Sequence, residues 1–107
     1  MEFDSIKNEV KKVNFETLRT DCDNYFEAVL VKEEIAKLNE RLKSFFGEPA
    51  WPSKNRITYH IQELINGFGG IMPGQTLYFR NQGDESIFAM LWPWQDGLRT
   101  TVEIIKK

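Results

Sequence analysis

The sequence predicts an α+β fold: a two-layer sandwich with an antiparallel sheet of about four strands and two helices packed on one face, in the order (α)-β-α-α-β-β-β. Three observations predict it. Residues 32–47 and 57–68 repeat their apolar positions with a helical period. From Gln75 onward the period falls to two, as in half-buried strands. The connections inside that last stretch, QGDE and QDG, are short, polar and contain glycine, which marks a three-stranded meander closed by hairpins.

Each element has its own local reason. Phe3, Ile6, Val10 and Val13 recur at helical spacing, with Asp4 or Ser5 as N-cap. Asn14 is expected to begin a second short turn carrying Phe15 and Leu18, so that residues 1–20 form a helical arm; a frayed terminus is the alternative. Tyr25–Val31, YFEAVLV, is aromatic and β-branched and reads as a strand. The following KEEIAKLNERLKSFFG aligns Ile35, Leu38, Leu42 and Phe45 in one stripe, sets Glu33 and Lys37 four apart on the wet face, and supplies Gly47 as a stop.

Pro49 and Pro52 interrupt the chain before a second helix. Ser53 or Asn55 caps it, Ile57, Ile61, Leu64, Ile65 and Phe68 face inward, and Gly67 or Gly69-Gly70 ends it. Met72 to Gln75, MPGQ, has the proline and glycine of a type II turn. Three strands are then expected near residues 75–81, 86–94 and 98–106.

The stretch LWPWQDGL, Leu91 to Leu98, admits two registers. A two-residue Asp96-Gly97 turn sets Trp94 opposite Arg99, Trp92 opposite Thr101 and Met90 opposite Glu103, which makes the tryptophans a half-wet platform. A three-residue Gln95-Asp96-Gly97 loop sets Trp94 opposite Leu98, Trp92 opposite Thr100, Met90 opposite Val102 and Phe88 opposite Ile104. One residue of slip exchanges a binding platform for a core. A four-residue connection from Gln82 to Glu85 pairs Phe79 with Phe88 and Leu77 with Met90. The three-residue loop then yields one continuous apolar face of Leu77, Phe79, Phe88, Met90, Trp92, Trp94, Leu98, Val102 and Ile104, on which both helices can pack. The pattern favours that register and makes the tryptophans mainly core, with Trp94 half-covered at the open end beside Pro93, which cannot donate to the ladder.

The opposite face then carries Tyr78, Ile87, Leu91, Arg99 and Ile105, an apolar centre ringed by charge, which is the candidate interaction face. Either the N-terminal arm lies across it, or it serves a homodimer or a protein partner. A second candidate site, for a small molecule, is a cleft between the second helix and the open sheet end, lined by Trp51, His60, Tyr78, Arg80, Trp92 and Trp94.

Composition narrows the function class. The 107 residues suit one domain, 1–107, and 41% hydrophobic with 28% charged is a globular balance. A net charge of −2 supplies no field for nucleic acid, whose capture depends on neutralising phosphates. Cys22 is the single cysteine, so no intrachain disulfide can form, and a cytoplasmic setting is expected. No stretch approaches the roughly 18 apolar residues of a membrane span, and the opening MEFDSIKNEV lacks a signal-peptide run.

Catalytic chemistry finds little support. His60 stands alone at the margin of a helical stripe, with Glu63 as its one possible orienting partner. One His and one Cys do not make a zinc site, and Asp21 and Asp23 disfavour a Cys22 thiolate. GFGGIMPGQ follows a helix and precedes a strand, the reverse of a phosphate loop. The sequence therefore points to no cofactor, no metal and no catalytic residue. It fits a small binding or protein-interaction domain using an apolar sheet face; a small-molecule-binding domain or minor enzyme with an aromatic cleft near Trp92 and Trp94 is the alternative.

Overall fold

The computed structural model describes residues 2–51, 59–67, 74–82 and 84–107. Helix α1 spans Glu2–Val10, strand β1 Thr17–Asp21 and strand β2 Tyr25–Val31. A 3-10 turn over Lys32–Glu34 leads into helix α2, Ile35–Phe46, and helix α3 covers Tyr59–Asn66. The last three strands are β3 at Thr76–Gln82, β4 at Glu85–Pro93 and β5 at Arg99–Lys106. Together the strands form one fully antiparallel sheet in the order β1-β2-β5-β4-β3. The α+β class and the C-terminal meander are as expected, with five strands in place of about four.

The additional strand is β1. Residues expected to turn helically around Phe15 and Leu18 instead pair with β2, Thr17 opposite Val29 and Asp21 opposite Phe26. Nothing in TLRTD alternates between apolar and polar, because β1 is an edge strand that buries no side chain of its own. It is held by the ladder and by exposed ion pairs of Asp21 and Arg19, neither of which leaves an apolar period to read. Asp4 and Ser5, expected as caps, lie inside α1.

The helices divide between the two faces. On one, Phe3, Ile6, Val10 and Val13 of α1 and its following turn join Leu38 and Leu42 of α2 over Phe26, Ala28, Leu30, Val102, Ile104, Ile87, Ala89 and Leu91. On the other, Ile65 of α3 packs on Leu77, Phe88, Met90 and Ile105, with Ile61, Leu64 and Trp51 at the margin. The pair of helices sharing a face is therefore α1 with α2, and α3 adds a partial third layer. Fully burying side chains of this size stabilises by roughly 1.5–3 kcal/mol each, so most of the driving force sits under α1 and α2.

Local chemistry agrees with the expected stops. Gly47 takes φ of 83° beyond α2 and its N–H donates to the Lys43 carbonyl at 2.9 Å, a left-handed end that favours glycine. Lys37 pairs with Glu34 at 3.3 Å, three residues away, where Glu33 was expected. The N-cap of the second helix, its inward Ile57 and Phe68 and most of GFGGIMPGQ fall outside the described residues, although Gly74 has the positive φ of 89° that its turn position needs. The β3 edge is partly covered, since Leu77 exchanges backbone hydrogen bonds with Ala50 and Trp51.

Candidate functional site

The β3–β4 register is the expected one, with Phe79 opposite Phe88 and Leu77 opposite Met90, and pairing runs on to Gln82 and Glu85. The β4–β5 register is not. Trp92 stands opposite Thr101 and Met90 opposite Glu103, and the Trp94 N–H donates to the Arg99 carbonyl at 2.8 Å. This is the register of the two-residue turn, reached through a wider loop in which the Gly97 N–H donates to the Trp94 carbonyl at 3.1 Å and Gly97 alone has a positive φ. The three-residue bulge with its continuous apolar face is overturned.

Two causes act together. At the turn, the Asp96 carboxylate accepts the N–H groups of Leu98 (2.8 Å) and Arg99 (3.2 Å), and Gly97 adopts φ of 70°. Those backbone donors, Leu98 first, hold the Asp96 carboxyl below its usual range. Across the sheet, α1 and α2 require an apolar floor, and Val102 and Ile104 supply it. Residues 99, 101 and 103 are thereby turned toward the tryptophans, and Leu98 is left exposed.

The result is an open cleft of about 630 Å³ at the end of the sheet that α3 does not cover, lined by Arg19, Glu27, Trp92, Trp94, Thr101 and Glu103. The turn residues Gln95 and Asp96 close one side of it. Such a volume falls within the range of small-ligand sites. Trp94 is 36% exposed, and its Nε1 donates to Thr101 Oγ1 at 2.9 Å, which fixes the ring against the sheet. The Nε1 of Trp92 is buried and finds no hydrogen-bond partner among the described residues.

Arg19 reaches the cleft through an irregularity. The β1–β2 register shifts between Leu18 and Thr20, so Thr20 faces Glu27 and Arg19 is the inserted residue of a bulge. Its guanidinium meets Glu27 Oε2 at 3.2 Å and lies 5.8 Å from the Trp94 ring centroid. The same shift turns Asp21 toward α1, where Lys7 binds it at 2.8 Å and Lys11 adds a second ion pair. Arg99 also lies 5.8 Å from Trp94, and its Nε is held by both oxygens of Glu16, at 2.8 and 2.9 Å.

Glu27 and Glu103 are directly opposite across the β2–β5 ladder, a like-charge pairing that destabilises a sheet. The Tyr25 hydroxyl donates to Glu27 Oε1 at 2.7 Å. Burial, and then the charge of Glu27, push the Glu103 carboxyl above its ordinary range, while a hydrogen bond with Tyr25 pulls it partly back. Burial likewise pushes the Tyr25 phenol up.

The residues expected to line one cleft are thus separated. Trp92 and Trp94 meet in it. Trp51 packs against the α3 cluster and bridges β3. Tyr78 and Arg80 lie on the opposite face, where the Tyr78 hydroxyl donates to Asn39 Oδ1 at 3.0 Å and Arg80 donates to the Phe45 carbonyl at 3.0 Å. His60 belongs to α3, and its side chain is outside the description.

The expected interaction face is divided as well. In the folded chain α1 and α2 lie over Tyr78, Ile87 and Leu91, and the α3 cluster takes Ile105. Arg99 alone of the five comes near the cleft, beside the Trp94 ring. The residues that sequence reading missed are Arg19, Glu27, Thr101 and Glu103. The last two were legible in the register of the two-residue turn, whereas Arg19 needed β1 to exist and Glu27 needed the pairing of β2 with β5.

Among the described residues no group of three or more His, Cys, Asp or Glu side chains is placed to hold a metal ion, and no helix is long and apolar enough to cross a membrane. Cys22 is exposed in the β1–β2 connection, away from the cleft lining. No protein-family model, curated protein or solved structure matches this chain, so the reading of the cleft rests on its own geometry.

Proposed function

We propose that the protein is a small binding domain whose ligand sits in the cleft between Trp92, Trp94 and the Glu27–Glu103 pair. The observation supporting it is that the α3 cluster ends at Trp92, which packs against its margin, and that Trp92 and the more exposed Trp94 line an open cleft beyond it. Folding alone gives no reason to leave indole surface at the open end of a sheet beside two opposed carboxylates. Both features cost stability in the free protein and are offset when a ligand covers one and pairs with the other.

The test is a screen of chemically diverse small molecules by amide and indole N–H NMR shifts. Binding at the cleft moves the Trp92 and Trp94 indole signals together with the Thr101 and Glu103 amides. Hits that move only α1, α2 or the Trp51 indole, or no hits at all, remove the proposal.

A further inference from the structure

The cleft carries an excess of negative charge, and among the described residues no ion pair reaches Glu103, whereas Glu27 is paired with Arg19 and Asp96 with Arg99. Glu27, Asp96 and Glu103 bring three carboxylates to the lining, against the single guanidinium of Arg19. Arg99, nearby over Trp94, is engaged by Glu16 and Asp96. Arg19 pairs with Glu27 at 3.2 Å from an exposed position on an edge strand. The Tyr25 hydroxyl gives its one proton to Glu27, and Glu103 stands directly opposite Glu27, whose like charge acts on it. An ion pair of a second cation with this carboxylate would relieve that repulsion.

The aromatic wall has matching chemistry. The Trp94 ring already has two guanidinium groups at 5.8 Å from its centroid, those of Arg19 and Arg99. A tryptophan face attracts cations through its quadrupole. The protein therefore shows, with its own arginines, the kind of group that this surface holds. An anionic ligand would meet a lining with more carboxylates than guanidinium groups, and a wholly apolar one would cover Glu103 without pairing it.

Resting on the reading of the cleft as a ligand site, we propose that its ligand is a small organic cation, with a guanidinium or ammonium group that binds between Glu103 and Glu27 and an apolar body against Trp92 and Trp94. Arg19 is an internal stand-in for that group, and the ligand displaces it from Glu27. The site size, about 630 Å³, suits a free small molecule.

The experiment titrates ethylguanidinium, its neutral isostere ethylurea and a blocked Gly-Arg-Gly tripeptide, reading tryptophan fluorescence in a Trp51→Phe background and the indole N–H shifts. Ethylguanidinium is expected to bind about tenfold or more tightly than ethylurea, since a charge-assisted pair is lost in the isostere. Glu103→Gln should abolish that preference, and Trp94→Ala should weaken ethylguanidinium by about three-fold. Arg19→Ala should tighten it several-fold by removing the internal competitor, an effect in the opposite direction from any general loss of structure.

Equal binding of ethylguanidinium and ethylurea at the tryptophans overturns the cation assignment and leaves the cleft as a ligand site. Retained preference in Glu103→Gln, or weaker binding in Arg19→Ala, also overturns it. Binding of the tripeptide alone overturns the small-molecule assignment. If none of the three binds, the cation assignment falls, and the cleft itself falls only if the wider screen is also blank there.

Discussion

The two faces of the sheet meet the same requirement to different extents. Under α1 and α2, the floor of Phe26, Ala28, Leu30, Val102 and Ile104 is wholly excluded from solvent. The contacts there are apolar, with polar groups at the margin, such as the Tyr78–Asn39 hydrogen bond. Under α3, burial stops part way along. Leu77, Phe88, Met90 and Ile105 are closed over, but Trp92 is half-buried and Glu103 and Glu27 remain beside the open cleft. Strand β5 serves both arrangements in alternation, with Val102 and Ile104 on one side and Thr101 and Glu103 on the other. One face is arranged for stability, and part of the other keeps polar and aromatic groups that a core would exclude.

If that division is right, substitutions on the two faces should separate stability from site behaviour. The largest effect is expected at Leu42, wholly buried in α2. Leu42→Ala should lose about 3 kcal/mol in urea unfolding, while native emission from Trp92 and Trp94 stays unchanged. A loss under about 1 kcal/mol would show that the helical face is not the main source of stability.

Glu103 should behave in the opposite sense. Its carboxyl is raised in the folded chain above the ordinary 4.5, so between 4.5 and the raised value the folded state binds more protons than the unfolded one. Stability from this group is present at low pH and is lost as pH rises through that window. Glu103→Gln should therefore raise stability at neutral pH by up to about 1 kcal/mol, as expected for removing a directly opposed like charge. Near pH 4 the gain should vanish. Equal effects at both pH values would mean that charge repulsion is not what acts there.

The smallest effect is expected at Asp21, where the bulge joins the two faces. The lysines, Lys11 first and then Lys7, hold its carboxyl below the ordinary 3.8. That contribution is fully present above 3.8 and is lost as pH falls through the lowered value. Asp21→Asn should cost roughly 0.5 kcal/mol at neutral pH, as for a solvent-screened pair, with the difference from wild type disappearing in strong acid and shrinking in high salt. A larger cost, together with a change in Trp94 emission, would show that α1 docking and the Arg19 position are linked through β1.

What could be read from the chain followed the range of each signal. Gly47 ends α2 and the β3–β4 pairing has its expected register, because both depend on neighbours within a few residues. The aromatic cleft was visible as one of two registers at LWPWQDGL. Its preference was reversed because both helical stripes were expected on the tryptophan face. Counting apolar residues could not distinguish a β5 that feeds Val102 and Ile104 to one face from one that feeds them to the other.

The sequence by itself determined the α+β class, the order of its last three strands, the helical stripes of α1 and α2 and the existence of an aromatic end near Trp92 and Trp94. These follow from periodicity and turn chemistry, which are local. Only the tertiary structure decided which helix covers which face, that Thr17–Asp21 is a strand, and that Arg19, Glu27 and Glu103 converge on the tryptophans. The physical reason is that a strand's two faces are both available until something covers one of them. Here α1 covers the face of Val102 and Ile104, and that contact orients Glu103 and Thr101 toward the open cleft.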